Sequence, residues 1–149
     1  MIFQKVKVYH LFWITALIIL LIGICISEDT LDVNIHDTYF VIRYFEISIV
    51  LFTLYFLMGL GYWIVQKIFK KQLIHPLTVI HSFILIGSFL IYWGIFLYNK
   101  LFRDNDFPLF DNYLLINLVL TSEIFVILFI ASPIYIANFM IAFLKKEKA

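Results

Sequence analysis

Leu31-Asp32-Val33-Asn34-Ile35-His36-Asp37-Thr38-Tyr39-Phe40-Val41-Ile42 is a polar, aromatic and tightly spaced run set between two long apolar stretches. Such a run reads as a connection between two helices that need an apolar solvent. The rest of the chain fits that reading. Of its 149 residues 64% are hydrophobic and 14% charged, too apolar for a soluble domain, so the bilayer is the expected solvent. A spanning helix needs about 20 mostly apolar residues. Four stretches qualify, at about 8–26, 40–66, 77–98 and 113–144. None carries a sustained alternating pattern, which argues against a β-barrel. The expected fold is an all-α membrane protein with four transmembrane helices, forming a single membrane domain over residues 1–149.

Short loops orient such a protein. Lys5 and Lys7 lead the chain, Lys67, Lys70 and Lys71 fill the second loop, and Lys145, Lys146 and Lys148 close it. The first loop is acidic, with Glu28, Asp29, Asp32 and Asp37. In the third, Asp104, Asp106 and Asp111 outweigh Lys100 and Arg103. The positive-inside rule then places both termini in the cytoplasm and the His36-Asp37 loop outside. The first apolar stretch follows two lysines as a signal peptide does, but Ile26-Ser27-Glu28 offers no small-x-small cleavage site, so it reads as a retained helix. Net charge is +1, which gives no electrostatic case for nucleic acid. The single Cys25 can form neither an internal disulfide nor a cluster and is expected to pack as a small apolar residue. Pro133 should kink the fourth span. Trp63, Trp93, Tyr62, Tyr92 and Tyr98 lie toward span ends, where interfacial aromatics gather.

The Asp32–Ile42 run resembles the signature of haem–copper oxidase subunit I, the catalytic subunit of cytochrome c and quinol oxidases. The resemblance covers most of the chain, as the last four helices of that subunit. Ile22-Gly23-Ile24 before the run, Gly59 and Trp63 closing the second span, Val79-Ile80-His81 opening the third and Ile86-Gly87 within it follow the family in order and spacing. Arg103-Asp104-Asn105-Asp106-Phe107-Pro108 is similar to the family's Arg-Tyr-Ser-Asp-Tyr-Pro, and Asn117 to an Asn early in its last helix. The resemblance implies that Arg103 matches the second of two arginines that hold haem propionates, with Phe102 in place of the first. It also places the His36-Asp37 loop on the outer side, in agreement with the charge argument.

The departures fall on the metal ligands. In the family the run continues Ala-His-Phe-His, whose two histidines hold the haem irons. Here it continues Arg43-Tyr44-Phe45-Glu46, so Tyr44 and Glu46 stand at the two ligand positions. Glutamate is not a usual axial donor to haem, and a neutral Tyr is a poor one without a base beside it. The family's copper-binding histidines lie on earlier helices absent from this sequence. By the same resemblance His36 and Asp37 match residues that help bind magnesium at a subunit interface, with a carboxylate from a partner; Asp32, Glu28 or Asp29 could substitute. The structural alternative is that Asp37 caps the second helix while His36 bonds the loop backbone.

Four further features stand on their own residue chemistry. Arg43 and Glu46 are three apart on one helical face and can pair; alternatively Arg43 turns inward, toward Glu123 or Asp37, and seals the bundle where haem is missing. Glu123 lies about 15 Å into the fourth span, a depth at which an acid marks a function or a buried partner. It could carry a proton or ion path, or stay protonated and bonded to Thr121, Ser48 or Thr53. His10 and His81, both expected near the cytoplasmic face, could ligate a b-type haem between helices, with Tyr44 a further candidate. Gly87 and Gly94 on one face of the third span, with Gly59 and Gly61 on the second, are expected to pack helices closely.

The reading that follows is a non-catalytic, subunit-I-like integral membrane protein, an interaction or accessory subunit of the respiratory chain in the bacterial inner membrane. It would carry no haem and no magnesium, and its partners would be the bilayer and another membrane protein or a second copy. The alternatives are a small electron-transfer haem protein using His10 and His81, and a proton or ion path through Glu123.

Overall fold

Along the first helix Tyr9, Phe12, Ala16, Ile19 and Gly23 are buried, with Thr15 beside them. That alternation of three and four is the spacing of one helical stripe. The second helix repeats it with Tyr44, Ser48, Tyr55, Gly59 and Tyr62. Two such stripes meet as an antiparallel pair: Gly23 lies against Ser48, and Phe12 against Tyr62, with ring centroids 5.6 Å apart.

A computed structural model of the chain describes residues 7–35, 38–102 and 111–145. They form α1 (Val8–Cys25), β1 (Thr30–Ile35), β2 (Thr38–Arg43), α2 (Tyr44–Trp63), α3 (His75–Phe102), α4 (Asp111–Val126) and α5 (Ser132–Leu144). A π-helical turn, Ile64–Ile68, extends α2, and a second, Ile127–Ala131, joins α4 to α5. Four helices are long and apolar enough to cross a membrane: Val8–Cys25, Tyr44–Ile68, His75–Ile95 and Leu118–Leu144. The contacts group into two compact units, Met1–Gln72 and Leu73–Ala149.

The all-α expectation needs one correction. Between α1 and α2 the chain forms an antiparallel β-hairpin, with Thr30 opposite Arg43 and Ile35 opposite Thr38. Its register pairs Leu31 with Ile42, Asp32 with Val41, Val33 with Phe40 and Asn34 with Tyr39. A lone hairpin is marginal in water. This one is tied down at its base, where the Tyr44 N–H donates to the Asp29 carbonyl (3.1 Å) and the Asp29 N–H to the Ile26 carbonyl (3.0 Å). The second span therefore begins at Tyr44 rather than at residue 40, because Phe40-Val41-Ile42 belong to a strand.

Unit one closes on shape. A Cβ added at Gly59 would lie 2.7 Å from the Trp13 ring, and one at Gly23 would collide with the Ser48 side chain. Only glycine allows the backbones this close. Unit two closes on polar bonds instead. Asn138 of α5 is fully buried; its Oδ1 accepts the Ile74 N–H (2.8 Å), and its Nδ2 donates to Thr78 Oγ1 (2.8 Å). Thr78 Oγ1 donates in turn to the Ile74 carbonyl (3.1 Å). The side chain of one helix thus caps the start of another, satisfying an N–H that a helix N-terminus leaves open. Beside this clamp, His81 stacks on Tyr135 with centroids 4.8 Å apart.

Pro133 sits in the first turn of α5, directly after the π turn. There its missing N–H falls where a helix tolerates it. The Ile127 carbonyl accepts both the Ser132 N–H and Ser132 Oγ (3.0 Å for the hydroxyl), so the disruption takes the form of a widened turn.

Several packing expectations change. Gly87 and Gly94 face open space, with nothing within 4 Å of an added Cβ. Tyr62 and Trp93 are buried rather than lying at an exposed helix end, whereas Tyr98 is exposed. Cys25 is exposed at the end of α1 instead of packed.

Candidate functional site

The hairpin base and the first turn of α2 hold the residues on which the family resemblance turns. Strand β2 runs straight into α2, so Arg43 is the N-cap and Tyr44 the first helical residue. This overturns the cap expected of Asp37, which precedes the helix by a whole strand. His36 and Asp37 themselves lie outside the described residues, and so does Arg103.

Tyr44 is 5% exposed and stands on the buried stripe of α2, close to Gly23 of α1. About half a turn round the helix, Glu46 is exposed and accepts two hydrogen bonds from Arg43, from Nε at 3.0 Å and from a terminal guanidinium nitrogen at 2.7 Å. The Arg43 side chain is itself 65% exposed, so it turns outward to Glu46 and not inward as a plug. Its hydrogen bonds to Glu46, the charge of that carboxylate and the more distant Glu28 hold the guanidinium pKa above its ordinary value. Glu46 in the first turn also complements the positive end of the helix. Tyr44 is thus a packed tyrosine and Glu46 a carboxylate in an ion pair.

The remaining candidates fall in both units. His10 is exposed on α1 and contacts Tyr9, with centroids 4.3 Å apart; it belongs to unit one. His81 is fully buried on α3, against Tyr135 within unit two. Among the described residues, no group of three or more His, Cys, Asp and Glu converges.

Glu123 is half-buried on α4. Its Oε1 is enclosed and, among the described residues, meets no hydrogen-bond donor. Of the hydroxyls expected to bond it, Ser48 Oγ donates to the Phe45 carbonyl (2.7 Å) and Thr53 Oγ1 to the Ile49 carbonyl (2.8 Å), both within unit one. A shallow groove on α5 is lined by Tyr135, Ile136, Phe139, Met140, Phe143 and Leu144 and presents apolar surface.

Sequence reasoning missed Asn138. The signal was available, since a lone amide inside an otherwise apolar span is costly unless it is bonded. No protein-family model matches the chain, and neither a curated protein nor a solved structure matches it.

Proposed function

We propose that the chain is an integral membrane protein of the bacterial inner membrane, resembling haem–copper oxidase subunit I and serving as a non-catalytic accessory subunit of the respiratory chain. The observation that carries the reading is the fate of the two ligand positions within a retained signature. Tyr44 is packed into the α1–α2 seam and Glu46 is paired with Arg43, so neither is arranged as an axial donor. The donor set does not fit the family's haems.

The apolar exterior supports membrane placement. Only 11% of the apolar window of Leu118–Leu144 is buried within the chain, against 33% for Val8–Cys25. Exposed side chains such as Phe125, Leu128 and Phe129 need lipid or a partner helix around them. The lysine-rich ends and the acidic hairpin support cytoplasmic termini with the hairpin outside. An accessory role supplies the partner that the fourth span calls for.

The test is native-gel electrophoresis of mildly solubilised membranes from the source cells. The chain is expected to migrate with an assembly that has terminal oxidase activity, and to leave it when the oxidase core is deleted. Migration as a solitary, partner-free monomer in both strains would contradict the accessory role.

A further inference from the structure

The two ends of unit one are electrically opposite. Every carboxylate of that unit falls between Glu28 and Glu46, and residues 1–27 and 47–72 contain no Asp or Glu. Antiparallel packing puts the start of α1 beside the end of α2: Phe12 meets Tyr62, and five residues outward from each come Lys7 and Lys67. The neighbouring Lys67 charge lowers the pKa of the Lys7 ammonium from its ordinary value. Lys70 follows at once. It is the one described non-glycine residue with positive φ (52°), where the Lys71 N–H closes the helix end on the Val65 carbonyl (3.0 Å). A β-carbon in that region is strained, so this turn is set by the helix end and not by the residue's own preference.

Two like charges at one end of the pair, with no Asp or Glu in residues 1–27 or 47–72, repel each other, and an anion between them would relieve that repulsion. Exposed Ile68 and Phe69 separate Lys67 from Lys70, which puts apolar surface directly beside the charges. A soluble anion has no use for that surface, whereas a phospholipid does. Lysine stems along a helix end also carry their charges to headgroup level.

We propose that Lys7, Lys67 and Lys70 form a binding site for the phosphodiester headgroup of an anionic phospholipid, whose acyl chains run past Ile68 and Phe69. The proposal rests on the membrane reading above. The full chain, purified in non-ionic detergent, is offered phosphatidylglycerol or phosphatidylcholine, and the retained lipid is counted by native mass spectrometry. Phosphatidylglycerol should be retained in preference, and the paired substitution Lys7→Gln with Lys67→Gln should weaken its binding by about thirtyfold. Lys7→Arg with Lys67→Arg should keep the preference, and Lys145→Gln, which removes a lysine charge from unit two instead, should leave it intact. Equal retention of the two lipids, an equal loss with Lys145→Gln, or full competition by inorganic phosphate at equal concentration would overturn the proposal. Carbonate washing of membranes separates the two readings: release of the chain defeats membrane insertion itself, whereas a carbonate-resistant chain without lipid preference defeats only this site.

Discussion

The α1–α2 pair and the unit containing α3 and α5 solve one problem in two ways. Both must hold apolar helices together where an apolar surrounding offers little reward for burying further apolar surface. In the first unit the solution is proximity: Gly23 and Gly59 remove side chains so that Ser48 and Trp13 can approach the opposing backbone. In the second it is an amide, Asn138, which binds a backbone N–H and a hydroxyl of α3 at once. The first device fails when something is added, and the second when something is removed.

That contrast can be broken by substitution, and the largest effect is expected at the amide. Asn138→Leu keeps the branched shape but strands the Ile74 N–H and takes away the donor to the Thr78 hydroxyl, and should cost about 3 kcal/mol in detergent unfolding. Adding a methyl in the other unit, Gly23→Ala, should cost about 2 kcal/mol by overpacking. Ser48→Gly in the same chain should restore part of that loss, because the pair shares one contact. Gly87→Ala and Gly94→Ala meet open space and should leave stability unchanged or raise it by about 0.5–1 kcal/mol each. Should they destabilise equally, close glycine packing would not be particular to the first unit.

Smaller effects sharpen the picture at the two ends of α2. Glu46→Gln removes an exposed ion pair and should change stability by less than about 1 kcal/mol. At the other end, the folded protein holds the Lys7 proton less tightly than the unfolded chain does. Stability should therefore rise slightly with pH in the window that opens at the depressed Lys7 value and closes at the ordinary 10.5. In non-ionic detergent this rise should vanish in Lys67→Gln.

What the sequence made readable follows the same division. Long apolar runs announced four helices, and Pro133 announced a disturbance whose form, a π turn, depends on how the freed carbonyls find new donors. The hairpin was masked because Phe40-Val41-Ile42 adjoin a helix and read as its beginning. The alternation Leu31, Val33, Ile35 was present but spans only six residues. Glycine spacing could not separate Gly23 and Gly59, which face a neighbour, from Gly87 and Gly94, which face none. That distinction belongs to tertiary packing. Asn138 depends on Ile74, distant in sequence, so no local pattern could reveal its role. Around the candidate site, the i, i+3 spacing of Arg43 and Glu46 announced their pair, while the burial of Tyr44 needed the register of α2 against α1.

The most direct test of the account is the reduced-minus-oxidised absorption spectrum of the chain produced alone in haem-supplemented cells and purified in mild detergent. The account predicts a flat spectrum, because Tyr44 is packed and Glu46 is paired with Arg43. A stoichiometric haem band that survives purification and disappears with Tyr44→Phe, or with His10 and His81 replaced, would contradict it.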